Sequence, residues 1–236
     1  MKLDLRYRLA AEFLGTAFLL AAVVGSGIMG ERLAGGNIAI ALLANSTATG
    51  AALVALILTF GEISGAHFNP VVTLSDAMMG GLAWSDVPVY IAAQVGGAFC
   101  GVAAANLMFG LPVFFVSHQA RSGVALLWSE FVATFGLLTV IWGCGRTRRD
   151  WVSFAVGSYI AAAYWFTSST SFANPAVTLA RTVSDTFAGI RPVDAPAFIV
   201  VQGIGALSAT LLFRALPMPK LADAKSEREY QFHRMP

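Results

Sequence analysis

Six long apolar stretches alternate with short polar ones along the chain, at roughly 9–29, 38–61, 86–110, 122–144, 151–170 and 193–216. An α-helix rises about 1.5 Å per residue, so about 20 apolar residues cross a hydrocarbon core about 30 Å thick. The pattern predicts an all-α membrane protein with six transmembrane helices. The first stretch contains Glu12 and runs on without a small-residue cleavage site, which predicts a retained helix rather than a signal peptide. From residue 217 onward the chain turns polar, with Pro217, Pro219, Lys220, Lys225, Glu227, Arg228 and Glu229, and reads as a solvated, flexible tail over 217–236.

Two polar strings break this pattern. Ser64-Gly65-Ala66-His67-Phe68-Asn69-Pro70 follows the second stretch and Ser171-Phe172-Ala173-Asn174-Pro175 follows the fifth. Asn caps free backbone N–H groups, and Pro at the first helical position loses no needed donor, so each string opens a helix. On the order of ten residues follow before Gly80-Gly81 and Ala188-Gly189, about 15 Å of helix, or half a hydrocarbon core. The expectation is two re-entrant half-helices that together make one further span.

The halves of the chain repeat each other. Ala11-Glu12-Phe13-Leu14-Gly15-Thr16 answers Ser129-Glu130-Phe131-Val132-Ala133-Thr134, and Ile91-Ala92-Ala93-Gln94 answers Ile199-Val200-Val201-Gln202. The chain thus reads as a single domain over 1–236, with a first repeat at about 9–110 and a second at about 122–216. Three spans per half is odd, so the second copy enters the membrane from the other side and the repeats are inverted. The half-helix N-termini then meet at the midplane. Non-helical backbone at that depth survives only inside protein or along a wet cavity, and two positive helix ends there oppose cations and protons but not neutral solutes.

Composition sets the solvent. The chain is 57% hydrophobic and 12% charged, with mean hydropathy +0.70, more apolar side chain than a soluble domain of 236 residues hides. The partner for most of this surface is the lipid bilayer. The net charge of +2 does not point to nucleic acid, because the cations lie in short segments between apolar runs. Eleven Lys and Arg residues, from Lys2, Arg6 and Arg8 through Arg146, Arg148 and Arg149 to the tail, fall on one side. Only Arg32, Arg121, Arg181 and Arg191 fall on the other. The positive-inside rule then predicts a plasma (inner) membrane protein with both termini cytoplasmic. Cys100 and Cys144 sit in or at the end of apolar segments and show no disulfide or metal spacing, as His118 and His233 show none. Without redox, hydrolytic or nucleotide motifs, the sequence implies neither enzyme nor cofactor.

Six spans with paired Asn-Pro half-helices, the pseudo-symmetric Glu12 and Glu130, and the Ser64-Gly65-Ala66-His67 string resemble the major intrinsic protein family of aquaporins and aquaglyceroporins, from Glu12 to about Arg214. The resemblance implies an hourglass monomer with its own pore, assembled as a homotetramer. It implies that Asn69 and Asn174 donate side-chain N–H groups to passing solute at the pore centre, beyond their capping role. It also implies that Glu12 and Glu130 accept hydrogen bonds from the half-helix loops; the rival role is a proton relay in an ion-coupled transporter. His67 either touches the pore near its inner mouth or braces the loop as a hydrogen-bonded strut. Gly97, Gly101, Gly203 and Gly205 read as helix-packing residues.

One departure bears on substrate. In most relatives the second motif continues Asn-Pro-Ala-Arg, and that Arg helps to form an outer constriction; here the position is Val177. By spacing, the other filter positions fall on Thr49, Ala162 and Ser171. These side chains predict a wide, weakly charged constriction and a passive channel for small uncharged solutes. The missing Arg resembles the bacterial branch of the family associated with arsenic resistance, and that resemblance implies arsenite as As(OH)3 beside water and glycerol-like polyols. The other readings are an ion-coupled secondary transporter and a water-selective or junction-type structural member of the family. Arg181, one turn beyond Val177, either satisfies loop carbonyls or a carboxylate such as Asp185 at i+4, or places a guanidinium in the outer vestibule.

Overall fold

The computed structural model describes residues 3–217, so the tail from 218 onward lies outside the described residues. The six long apolar stretches become α1 (Leu5–Leu33), α2 (Ile38–Ser64), α4 (Val87–Met108), α5 (Val124–Thr147), α6 (Val152–Phe166) and α8 (Ala195–Ala215). The two strings open α3 (Pro70–Met78) and α7 (Pro175–Ala180). Five of the long helices have the length and hydropathy of membrane spans. The sixth, α6, holds 15 residues and ends well before residue 170. Its end coincides with the run Thr167-Ser168-Ser169-Thr170, where the chain leaves the helix and Thr170 takes a positive φ of 64°. The second half-helix is also shorter than expected, because α7 tightens at Arg181–Val183 into a final 3-10 turn.

Outward-facing side chains show what surrounds the bundle. Phe18, Leu43, Leu58, Val200 and Leu211 are exposed along the helices. Trp84 and Trp151, just before α4 and α6, lie at the face that holds the chain's N-terminus, while Trp128 near the start of α5 and Trp165 near the end of α6 lie at the opposite face. Aromatic side chains at both ends of apolar helices mark the two membrane interfaces. The protein is multi-pass in the membrane.

Inside, the repeats pair α1 with α4 and α5 with α8, while α2 meets α6 across the pseudo-symmetry axis. The Gly97 backbone lies directly on the Phe13 carbonyl and that of Gly205 on the Phe131 carbonyl, so a Cβ at either position has no room. Gly101 is used in the same way against Ala17, but Gly203 faces open space and is not the packing glycine expected. The half-helices cross between repeats: α3 packs on α4 and α8, and α7 on α8 and α4.

Candidate functional site

Each string is extended backbone folded back on itself by left-handed residues. Ala66 and Phe68 in the first, and Thr170, Ser171 and Ala173 in the second, have φ between 47° and 64°. A non-glycine residue in this region costs about 1 kcal/mol or more, so something must hold the loops. That something is a buried carboxylate in each half. Glu12 Oε1 accepts from Ser64 Oγ at 2.6 Å and His67 N at 2.9 Å, and its Oε2 accepts from Phe68 N and Gln94 Nε2, both at 2.8 Å. Glu130 accepts from Phe172 N and Ala173 N, both at 2.9 Å, and from Gln202 Nε2 at 2.6 Å. Gln94 and Gln202 donate in addition to Thr73 Oγ1 and Thr178 Oγ1, tying each carboxylate to its half-helix. The two glutamines were visible in the repeat but carried no assigned role; a buried amide at equivalent places in two inverted halves was the available signal.

The Asn residues stitch the two halves together. Asn69 Oδ1 caps Val71 N at 3.1 Å, and Asn174 Oδ1 caps Ala176 N and Val177 N at 3.0 and 3.3 Å. Asn69 Nδ2 then donates to Ala173 O, and Asn174 Nδ2 to Phe68 O, each at 2.8 Å. The expected free amide is therefore half used: of its two N–H groups, one crosses to the opposite string and one is left. Among the described residues, no donor reaches the carbonyls of Gly65, Ala66 and His67 or of Thr170, Ser171 and Phe172.

These elements enclose a cavity of about 450 Å³ that both Asn residues line. Thr49, Ser171 and Val177 also line it. Ser171 Oγ is buried without a partner among the described residues, and Thr49 Oγ1 lies 3.3 Å from the Tyr164 hydroxyl. Ala162 does not belong to this group: it is exposed on the outer side of α6, and the wall there comes from Tyr164 and Ile160 instead. Two residues turn a helix by about 200°, so this offset reverses the face.

His67 and Arg181 mark the two ends. His67 Nδ1 lies 3.1 Å from Thr73 Oγ1, and its Nε2 3.6 Å from Asp76 Oδ2, while the residue still lines the cavity. It is thus both strut and lining. Thr73 Oγ1 also accepts from Gln94 Nε2, so His67 joins the network that ties Glu12 to the first half-helix. Arg181 is only 2% exposed and donates from Nε to Ala188 O, not to Asp185. Asp185 instead accepts from His118 N at 2.8 Å and lies 3.0 Å from its ring nitrogen; the backbone N–H foremost holds that carboxyl below its usual range.

Two inverted repeats, crossed half-helices and buried Glu brackets around a central Asn pair define a class of membrane protein. The sequence model of the major intrinsic protein family matches residues 2–151, and the chain belongs to that family. Among curated relatives, the aquaglyceroporin AqpS of Rhizobium meliloti (strain 1021) is 52% identical over 92% of each chain. Aquaporin NIP1-3 of Oryza sativa subsp. japonica is 35% identical over 73% of this chain and 62% of its own length. The fold matches the X-ray structure of the aquaglyceroporin from Plasmodium falciparum with a TM-score of 0.71 at 20% identity, covering 90% of this chain and 97% of that one.

Proposed function

We propose that the protein is a passive channel for small uncharged solutes in the plasma membrane, with cytoplasmic termini and one pore in each protomer of a homotetramer. Its substrates on this reading are water, glycerol-like polyols and arsenite as neutral As(OH)3. The observation that carries it is the shared cavity, which both Asn residues line and which Thr49, Ser171 and Val177 border with short side chains. The remaining N–H of each Asn69 and Asn174 amide donates to a solute oxygen at the centre, and the unengaged loop carbonyls accept from its hydroxyls. Similarity to an aquaglyceroporin over most of both chains supports solutes of polyol size.

A proton relay through Glu12 or Glu130 finds no support in this geometry. Both carboxylates are 0% exposed, and both oxygens of each already accept fixed donors. A coupled carrier needs a carboxyl that exchanges protons with the lumen.

Val177→Arg tests the filter. The substitution narrows the bore and adds charge, so in proteoliposomes glycerol and As(OH)3 fluxes should fall by about tenfold, with water flux much less affected. An equal fall in all three would contradict a filter role for Val177.

A further inference from the structure

We infer that Arg181 is the outer selectivity cation of this pore, placed one helical turn beyond the position Val177 occupies. The inference rests on the channel reading above and adds a residue and a task to it.

The geometry separates Arg181 from an ordinary buried arginine. Its guanidinium carbon stands 3.4 Å from the centroid of the Phe172 ring, and Arg121 stands on the same ring at 5.0 Å. The two arginines use their donors differently. Arg121 spends its fork on Gly189 O, Ser169 O, Thr170 Oγ1 and Phe187 O, which makes it a loop brace. Arg181 engages one acceptor, Ala188 O, through Nε. Its two terminal nitrogens meet no acceptor among the described residues, and the residue, though only 2% exposed, lines the same cavity as Asn69, Asn174 and Val177. A fork of donors, held flat by an aromatic face, therefore opens onto the solute path.

Nothing nearby cancels its charge by direct contact. Among the described residues no carboxylate lies within 4 Å of Arg181: Asp185 is paired with His118, and Asp194 with Arg191 and the Arg121 backbone N–H. The inverted repeat supplies an independent check. Arg181 follows Asn174 by the same interval as Asp76 follows Asn69, and Phe172 precedes its Asn as His67 does. In both halves the ring before the Asn packs on the charged residue after it, and both charged residues line the cavity, an acid at one end and a base at the other.

The consequence is a division of labour. Val177 leaves the wall nearest the centre apolar and uncharged, while Arg181, about 6 Å further along the helix axis, repels cations and donates to hydroxyl or oxo oxygens of arriving neutral solutes. A bulkier polyhydroxylated solute passes, yet ammonium-like or alkali cations do not.

The test uses full-length protein in proteoliposomes, with glycerol and water flux read by light scattering and potassium and methylammonium leak read separately. Arg181→Gln should raise cation leak by about tenfold or more, as expected on removing a unit charge a few ångströms from a partly wet path, while water flux stays within a factor of about three. Arg181→Lys keeps the charge but loses the planar fork, and should leak no more than the wild type. Unchanged cation leak in folded Arg181→Gln protein overturns the inference, as does a leaky Arg181→Lys channel. If the Gln variant does not fold, a leaky Arg181→Lys channel still overturns the inference. Wild-type protein that moves neither glycerol nor water would instead defeat the channel reading itself, whatever Arg181 does.

Discussion

At the scale of single residues, the pseudo-symmetric glutamates are alike in place but unequal in work. Glu12 accepts four hydrogen bonds, including one from Ser64 Oγ, whereas Glu130 accepts three. A Gln at either position turns one acceptor oxygen into a donor facing donors, which leaves buried N–H groups unsatisfied at about 1–3 kcal/mol each. We expect Glu12→Gln and Glu130→Gln both to lower the thermal unfolding temperature in detergent, and Glu12→Gln to lower it further. Equal temperatures for the two variants would mean that the Ser64 bond adds nothing. The glutamates' loop contacts were legible in the sequence through the family resemblance, but the Gln94 and Gln202 bonds that complete each bracket needed the three-dimensional arrangement.

At the scale of elements, hydropathy located every long helix to within about four residues at each end. Which face of α6 meets the lumen is a different question. Ala161-Ala162-Ala163 gives no amphipathic signal, so these three residues do not say which side faces the lumen, and counting from the motif gives Ala162, on the outer side, rather than Tyr164. The tyrosine hydroxyl, a polar tip in an apolar span that needs a partner, was the overlooked signal; it finds Thr49. Likewise Asp185, one of the partners offered for Arg181, presumes a continuing α-helix, whereas the chain tightens into a 3-10 turn at Arg181–Val183, Asp185 turns to His118, and Arg181 meets a loop carbonyl, Ala188 O. Glycine spacing has the same ambiguity, and here the structure separates neighbours. Gly205→Leu drives a side chain into the α5 backbone and should cost about 3 kcal/mol or more, while Gly203→Leu meets open space and should fold normally. The yield of monodisperse protein and its unfolding temperature distinguish the two, and equal loss in both variants would contradict this packing.

At the scale of the molecule, the inverted repeat explains why so much was readable. Each motif occurs twice, so a pattern that is weak once becomes specific by recurrence, and the opposite insertion of the halves follows from an odd number of spans. The crossed Asn69 and Asn174 amides make the halves interdependent, since each Asn fixes the other's loop. Val177 and the contrast between Asp76 and Arg181 at equivalent places in the two halves are where selectivity is written on this account. The most direct measurement of its central claim is stopped-flow light scattering of proteoliposomes holding the full-length protein, challenged with glycerol and As(OH)3 gradients in the absence of any ion or proton gradient. A passive channel gives rapid, non-saturating solute flux that rises linearly with concentration and is indifferent to an imposed sodium or proton gradient. Flux that appears only when such a gradient is applied would contradict it.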